Sequence, residues 1–399
     1  MFMIHRKGQS VLTIEKSKRI KDLPPYLFAR IDQIKAEQIA KGVDVIDLTI
    51  GDPDLPTPEG IIKEMKKSLG NPTNHRYPPY AGMLSLRQAI ADWYRDRFQV
   101  KLNPETEVLI LIGSKEGIAH IPLAFIDSGD YGLVPDPGYP VYKTSILFAG
   151  GTPQIMPLLK KDHFIPDLSQ IPEEIAKKSK LIFLNYPNNP TSAVCKKEFF
   201  KDAITYCDKN NIMICHDAAY SEVYFDGYKP MSFLQAEGAK DCGIEFHSFS
   251  KTFNMTGWRL GFAVGNQEIL AGLGKIKTNI DSGIFQAVQE AGIGALKNNL
   301  HVSEDLRKIY QERRDILCSG LKKMGLDFEP PSATFYVWAE IPKGYTSMEY
   351  TMHLLNQSGV LATPGNGFGS YGEGFIRFSL TEATERIKEA VDRLKKIAF

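Results

Sequence analysis

Five short, nearly unbroken apolar runs punctuate the chain: "EVLILIG" (107–113), "KLIFLNYP" (180–187), "NIMICHDAAY" (211–220), "IEFHSFS" (244–250) and "LGFAVGN" (260–266). Runs of this length, rich in Val, Ile, Leu and Phe and bounded by turn residues, predict strands buried on both faces. Between them lie segments with apolar residues three and four apart, among them "AGMLSLRQAIADWYRDRF" (81–98) and "KKEFFKDAITYCDKN" (196–210). Those predict amphipathic helices. Strand–helix alternation of this kind predicts an α/β fold with a mainly parallel, doubly wound sheet.

The last third of the chain has a different rhythm. "TFYVWAE" (334–340), "GVLATPG" (359–365) and "GFIRFSL" (374–380) predict short strands. "TEATERIKEAVDRLKKIAF" predicts a helix with Ile387, Val391, Leu394 and Ile397 on one face. A smaller α+β domain is therefore expected over 296–399, joined by the N-terminal segment 1–47, with a large domain over 48–295. Helices over 267–296 and 302–324 are expected to bridge the two. A length of 399 residues exceeds what one core usually supports, which favours this two-domain division.

Composition removes several function classes. A net charge of +1 provides no concentrated basic field, which argues against nucleic-acid and membrane-surface partners. The run "EKSKRIKD" (15–22) reads as a solvated charged face. Five cysteines, odd in number and without a C-x-x-C pair, suit a reduced intracellular protein. "MFMIHRKGQS" does not read as a secretory signal, and no apolar run approaches the length of a membrane span. A soluble, cytoplasmic protein is expected. His216 and His247 lie at strand ends without ligand-spaced partners, so no metal site is expected. "GFGSYG" (367–372) spells a dinucleotide fingerprint, yet a strand follows it instead of a helix, so it reads as a flexible loop.

Ligands of open α/β sheets bind beyond the carboxyl ends of the strands. Polar residues gather at four such ends: Ser114, Asn189, Asp217, and Ser248 to Lys251. Lys251 lies between Phe249 and Phe253, where desolvation would lower its pKa and leave a neutral amine able to form a Schiff base with an aldehyde. The plain alternative is a surface lysine on a turn. Arg259 offers a planar fork suited to phosphate, and Ser248 and Ser250 add hydroxyls. "IGSKEGIAH" (112–120) is a Gly-Ser turn opening a helix, which is a phosphate site or simply a cap. Asp217 could hold a pyridine nitrogen protonated, or could serve as an N-cap. Tyr220 and Asn189 could meet a phenolic oxygen on the same ring, and Tyr139 could stack on its face.

In combination, "SFSKTFNMTGWRLG" (248–261), "NPT", "DAAY" and the late "IRFS" resemble the fold-type I, pyridoxal-phosphate-dependent aminotransferases of class I/II over nearly the whole chain. The resemblance implies pyridoxal 5'-phosphate as cofactor, with Lys251, Asp217 and Tyr220 as the catalytic set. It implies that Lys251 carries the cofactor, and that Ser114, Lys115 (by its backbone), Ser248, Ser250 and Arg259 surround the phosphate. Tyr139 would cover the ring, Asp217 would pair with its nitrogen, and Asn189 and Tyr220 would contact its 3-oxygen. Tyr77, in "YPPYAG", would reach the phosphate of a neighbouring subunit, implying a homodimer with shared sites. Arg377 would clamp the substrate α-carboxylate, and Gly51 would line that pocket by its backbone. The implied reaction moves an amino group from an amino acid to a 2-oxo acid such as 2-oxoglutarate by a ping-pong mechanism.

Within that family, "LPPYLFARID" and "KTNIDSGIFQAVQ" resemble the LL-diaminopimelate aminotransferase branch, which implies lysine biosynthesis and a substrate-facing Tyr26. "GSKEG" resembles bacterial aspartate aminotransferases in which this lysine, Lys115, can meet a distal carboxylate. No arginine occurs between Lys277 and Gln289, where animal-type aspartate enzymes use one, and "YPPYAGMLSLR" lacks the glutamate of plant-type diaminopimelate enzymes. Aspartate or alanine aminotransferase remains an alternative, as does a C–S lyase or decarboxylase of the same fold. A transcriptional regulator would need an added DNA-binding domain, for which the roughly 45 residues before the first core strand leave no room. Ser192, in "NPTS", replaces the commoner glycine and reads as a small change without functional meaning.

Overall fold

The protein is described here by a computed structural model covering residues 14–21, 23 and 27–397. Tyr26 lies outside the described residues. Among the described residues twelve strands are formed: β1 (Ile46–Asp47), β2 (Val108–Leu111), β3 (Tyr131–Asp136), β4 (Thr152–Pro157), β5 (Ser179–Asn185), β6 (Met213–Asp217), β7 (Gly243–Ser248), β8 (Gly261–Gly265), β9 (Tyr336–Glu340), β10 (Val360–Leu361), β11 (Thr363–Pro364) and β12 (Phe375–Ser379). Seven make one sheet in the order β2-β8-β7-β6-β5-β3-β4. Six of them run in one direction and β8, between β2 and β7, runs opposite to them.

Alternation along the central strands sorts their side chains between two layers of helices. Ile110, Ile182, Leu184, Ile214, Phe262 and Val264 face the helices Leu84–Phe98, Lys197–Asn210 and Gln286–Asn298. Leu109, Leu111, Leu181, Phe183, Cys215 and Phe246 face the helices Ser114–Phe125, Val141–Phe148 and Gln267–Ile280. This two-sided burial is why the runs read as continuously apolar, each large side chain contributing about 1.5–3 kcal/mol.

A second core gathers β1, β9 and β12, the helix His301–Lys323 and the helix Thr384–Leu394. β9, β11 and β12 form an antiparallel sheet, while β1 pairs in parallel with β10. The segment containing Ala219, Tyr220, Val223 and Phe225 also packs into this second core, although it follows β6 of the large sheet.

Several expectations need correction. β3 and β4 are strands that hydrophobic runs did not announce, because "YGLVPD" and "TPQIMP" are broken by Gly and Pro. "IEFHSFS" is strand only to Ser248, after which Phe249–Thr252 turns as a helix. The helix expected over 267–296 is two helices, Gln267–Ile280 and Gln286–Asn298. Asp281 ends the first by accepting from the Lys277 ammonium and from the Gly283 N–H, each at 2.7 Å, and Gly283 turns the chain at φ +87°. "GFGSYG" is held in place: the Asp136 carboxylate accepts from the N–H groups of Ser370 and Tyr371 at 3.0 and 2.9 Å.

Among the described residues, no helix is long and apolar enough to cross a membrane, and no group of three His, Cys, Asp or Glu could hold a metal. Cys195, Cys207, Cys215 and Cys318 are buried thiols, with Cys242 partly exposed.

Candidate active site

The carboxyl ends of β2, β5, β6 and β7 share one edge of the large sheet, and the antiparallel β8 brings its amino end to the same edge. This convergence builds a cavity of about 260 Å³ lined by Gly51, Ser114, Lys115, Tyr139, Asn189, Asp217, Tyr220, Ser248, Ser250, Lys251, Arg259 and Arg377. Tyr77 stands outside it with 86% of its surface exposed. A larger cleft of about 860 Å³ lies between the Lys160–Ser169 loop and Asp327–Ser332, but none of the site residues expected from the sequence lines it.

The Lys251 turn is set by its neighbours. Ser248 closes β7 and its hydroxyl accepts from the Ser250 N–H at 3.2 Å. Phe249 and Phe253 are buried in the sheet core with their rings 5.6 Å apart, which leaves Lys251 on the cavity side. Its ammonium donates to the Gly51 carbonyl at 2.6 Å and lies 5.7 Å from the Phe335 ring. Burial pulls the Lys251 pKa down from 10.5 to about 8; Asp52 opposes this, while Arg259 and Arg377 reinforce it. The flanking phenylalanines therefore anchor the turn, and it is the cavity wall that desolvates the amine.

At one end of the cavity, groups suited to an anion collect. No side chain caps the helix Ser114–Phe125, whose N-cap is Gly113 at φ +75°. A Cβ on Gly113 would overlap the Arg259 guanidinium, and one on Gly261 would come within 2.5 Å of the Ser114 nitrogen. Two glycines thus allow Arg259, the helix N-terminus and Ser248 to crowd together, a combination of dipole and fork that selects phosphate.

At the other end Asp217 is buried, accepting from the Tyr142 phenol at 2.8 Å and the Ala219 N–H at 3.3 Å. Burial raises its pKa, and Tyr142 opposes the shift. A buried carboxylate with only neutral donors gains most from a cationic N–H, such as a protonated pyridine. Behind it, the Glu245 carboxylate meets His216 at 2.9 Å and His247 at 2.8 Å, which accounts for both histidines structurally.

Arg377 donates to the Asn189 side-chain oxygen at 2.7 Å and the Thr49 carbonyl at 2.6 Å. Its guanidinium is sandwiched between the rings of Tyr336 and Phe368 at 4.1 and 4.6 Å. Tyr336 also meets the Tyr220 hydroxyl at 3.0 Å. Tyr142, Asn185, Tyr336 and Phe368 line the cavity without having been singled out in the sequence. An aromatic residue in a strand or helix reads as core, and only the partner across the fold distinguishes it.

The donor set, the lysine and the Asp217 carboxylate in the cavity wall fit an aldehyde-bearing pyridine phosphate. The model of the family described as aminotransferase class I and II matches residues 43–394. The chain belongs to the class I and II aminotransferases. As a member it is a transaminase that uses pyridoxal 5'-phosphate, and it takes amino acids and 2-oxo acids as substrates. An LL-diaminopimelate aminotransferase of Aquifex aeolicus is 55% identical over 383 residues, spanning 96% of this chain and 99% of that one. One from Maridesulfovibrio salexigens is 56% identical over 380 residues, 95% of this chain and 98% of that one. Among solved structures, substrate-bound BacF of Bacillus subtilis superposes with a TM-score of 0.91 at 40% identity, covering 96% of this aminotransferase and 98% of that chain.

Proposed function

We propose that this aminotransferase moves an amino group from LL-diaminopimelate to 2-oxoglutarate, in the cytoplasm, as a homodimer. The observation that carries the substrate is the 55% identity to the Aquifex aeolicus relative across nearly the full length of both chains. The site geometry supports the reaction class.

In this reading Arg259, Ser248, Ser250 and the helix N-terminus at Ser114 and Lys115 hold the cofactor phosphate. Asp217, oriented by the Tyr142 phenol, holds the ring nitrogen protonated. Tyr139 covers the ring, and Asn189 and Tyr220 contact its 3-oxygen. Pyridoxal phosphate supplies, when bound, an aldehyde that receives amino groups and a protonated ring that withdraws electrons from the substrate Cα. Arg377 binds the α-carboxylate, with the Gly51 backbone beside it. Lys251, whose pKa of about 8 leaves its Nζ able to gain and lose a proton near neutrality, takes the proton from the donor Cα and gives it up again within the same half of the cycle, and in the second half it delivers a proton to the Cα of the new amino acid. The same groups act in reverse order on 2-oxoglutarate.

The homodimer is supported by an exposed apolar neighbourhood around Tyr77. Leu69, Tyr80 and Phe285 are exposed there, and the His75 ring lies 5.7 Å from that of Phe285, tilted by 51°. Tyr77 in this reading reaches the other subunit's phosphate. Lys115 can meet the distal end of the substrate; Tyr26, a substrate residue by resemblance, lies outside the described residues. We further read 48–295 as the large domain, with 1–47 and 296–399 forming the small one, in keeping with the two separate cores.

A panel of LL-diaminopimelate, aspartate and alanine with 2-oxoglutarate as acceptor tests the proposal. LL-diaminopimelate is expected to give the highest kcat/KM by at least about tenfold. Preference for aspartate or alanine would overturn the substrate. Release of ammonia or pyruvate without an acceptor would overturn the reaction.

A further inference from the structure

Ser192 and Thr334 take no part in the chemistry above, yet both hold left-handed backbone angles, with φ of 60° and 69°. For residues with a Cβ, and for a β-branched threonine above all, that conformation persists only where the surroundings impose it, and such outliers gather at functional sites. Both residues are buried. Their hydroxyls meet at 2.7 Å, and the Ser192 Oγ donates to the Tyr336 carbonyl at 2.8 Å. The Tyr336 N–H donates in turn to the Thr334 Oγ1 at 3.1 Å. Each hydroxyl has one proton, so the direction of the remaining bond follows: Thr334 donates to Ser192. The three groups form a closed ring.

This ring joins the loop after β5, in the large sheet, to the first residue of β9, in the small one. That first residue is Tyr336, whose ring lies 4.1 Å from the Arg377 guanidinium and whose hydroxyl meets that of Tyr220. Gly51 abuts the same hydroxyl so closely that a Cβ there would overlap it. Tyr336 is thus hemmed in on three sides by the site, and Ser192 with Thr334 fixes its backbone on the fourth. A glycine at 192 would relieve the backbone angle, but it has no hydroxyl to give the ring.

We propose that Ser192 and Thr334 are positioning residues, a latch between the two sheets that sets Tyr336 and, through it, the Arg377 clamp and the Tyr220 hydroxyl. The inference rests on the roles given to Arg377 and Tyr220 above. The test compares pyridoxal-phosphate-loaded wild type with Ser192→Gly, Ser192→Ala, Thr334→Val and Tyr336→Phe. Three quantities are read: melting temperature, KM and kcat for 2-oxoglutarate, and the pH midpoint of the bound cofactor's visible absorbance.

Ser192→Gly is expected to melt no lower than Ser192→Ala, because it relaxes the backbone. Both should raise the KM for 2-oxoglutarate about fivefold or more while kcat changes less than about twofold, the split that a misplaced binding group produces. Both should also move the absorbance midpoint in the same direction as Tyr336→Phe. Thr334→Val, which keeps the shape and removes the hydroxyl, should reproduce the KM change. A folded Ser192→Gly or Ser192→Ala with wild-type KM and wild-type midpoint overturns the latch. If wild type prefers another donor, the substrate reading fails alone, because the 2-oxoglutarate measurements do not depend on it.

Discussion

The Lys251 amine offers a quantitative test through pH. Burial against the cavity wall brings its pKa from 10.5 to about 8. At pH 7 roughly one molecule in ten then carries the neutral, nucleophilic amine, about 300 times the share of an ordinary lysine. The uptake of pyridoxal phosphate by apoenzyme needs that neutral form. In a stopped-flow experiment under excess cofactor, the rate constant should rise about tenfold per pH unit below the amine's pKa and level off above it. The direction of two substitutions follows from the charges around it. Asp52→Asn removes the anion that raises the pKa, so the plateau should begin at lower pH. Arg259→Gln removes a cation that lowers it, so the plateau should begin at higher pH. A rate that continues to climb past pH 10 would refute the desolvation argument, and unshifted profiles in both variants would refute the electrostatic one.

Tyr142→Phe keeps the ring stacked on Phe183 but removes the donor to Asp217. A hydrogen bond to a charged group contributes about 1.5–3 kcal/mol, so cofactor affinity measured by equilibrium dialysis should fall roughly tenfold or more. Arg377→Lys loses the planar fork and the stacking between Tyr336 and Phe368, and should raise KM for every amino donor about tenfold or more in steady-state assays. Gly261→Ala would set a methyl 2.5 Å from the Ser114 nitrogen, and should lower both cofactor affinity and the melting temperature by displacing the helix N-terminus.

The catalytic edge was legible because sheet burial leaves so few places for polar residues. Asp217, Ser248 and Lys251 interrupt apolar runs at strand ends, and an interruption in such a run is a strong signal. β3 and β4 are hidden by their Gly and Pro residues; β4 carries its prolines on the edge of the sheet, while β3 lies inside it between β5 and β4. The break at Asp281 was missed because its cause is a local capping contact, which hydrophobic periodicity does not register. Tyr142 and Tyr336 gave no sign of their roles, since each is recognised only through a group distant in sequence: Asp217 for one, Tyr220 and Arg377 for the other. Ser192 looked like a neutral replacement until its hydroxyl was found bridging to Thr334, 142 positions away.

The five thiols carry a practical consequence. Burial pushes Cys242 up to about 11 and Cys318 up to about 12, with Cys195, Cys207 and Cys215 higher still. Alkylating reagents attack the thiolate, so the native chain should be nearly blank to maleimides at neutral pH. One cysteine introduced on the outer face of each sheet could then carry a pair of fluorophores without background, and the separation between them would report whether the small sheet moves when a substrate enters.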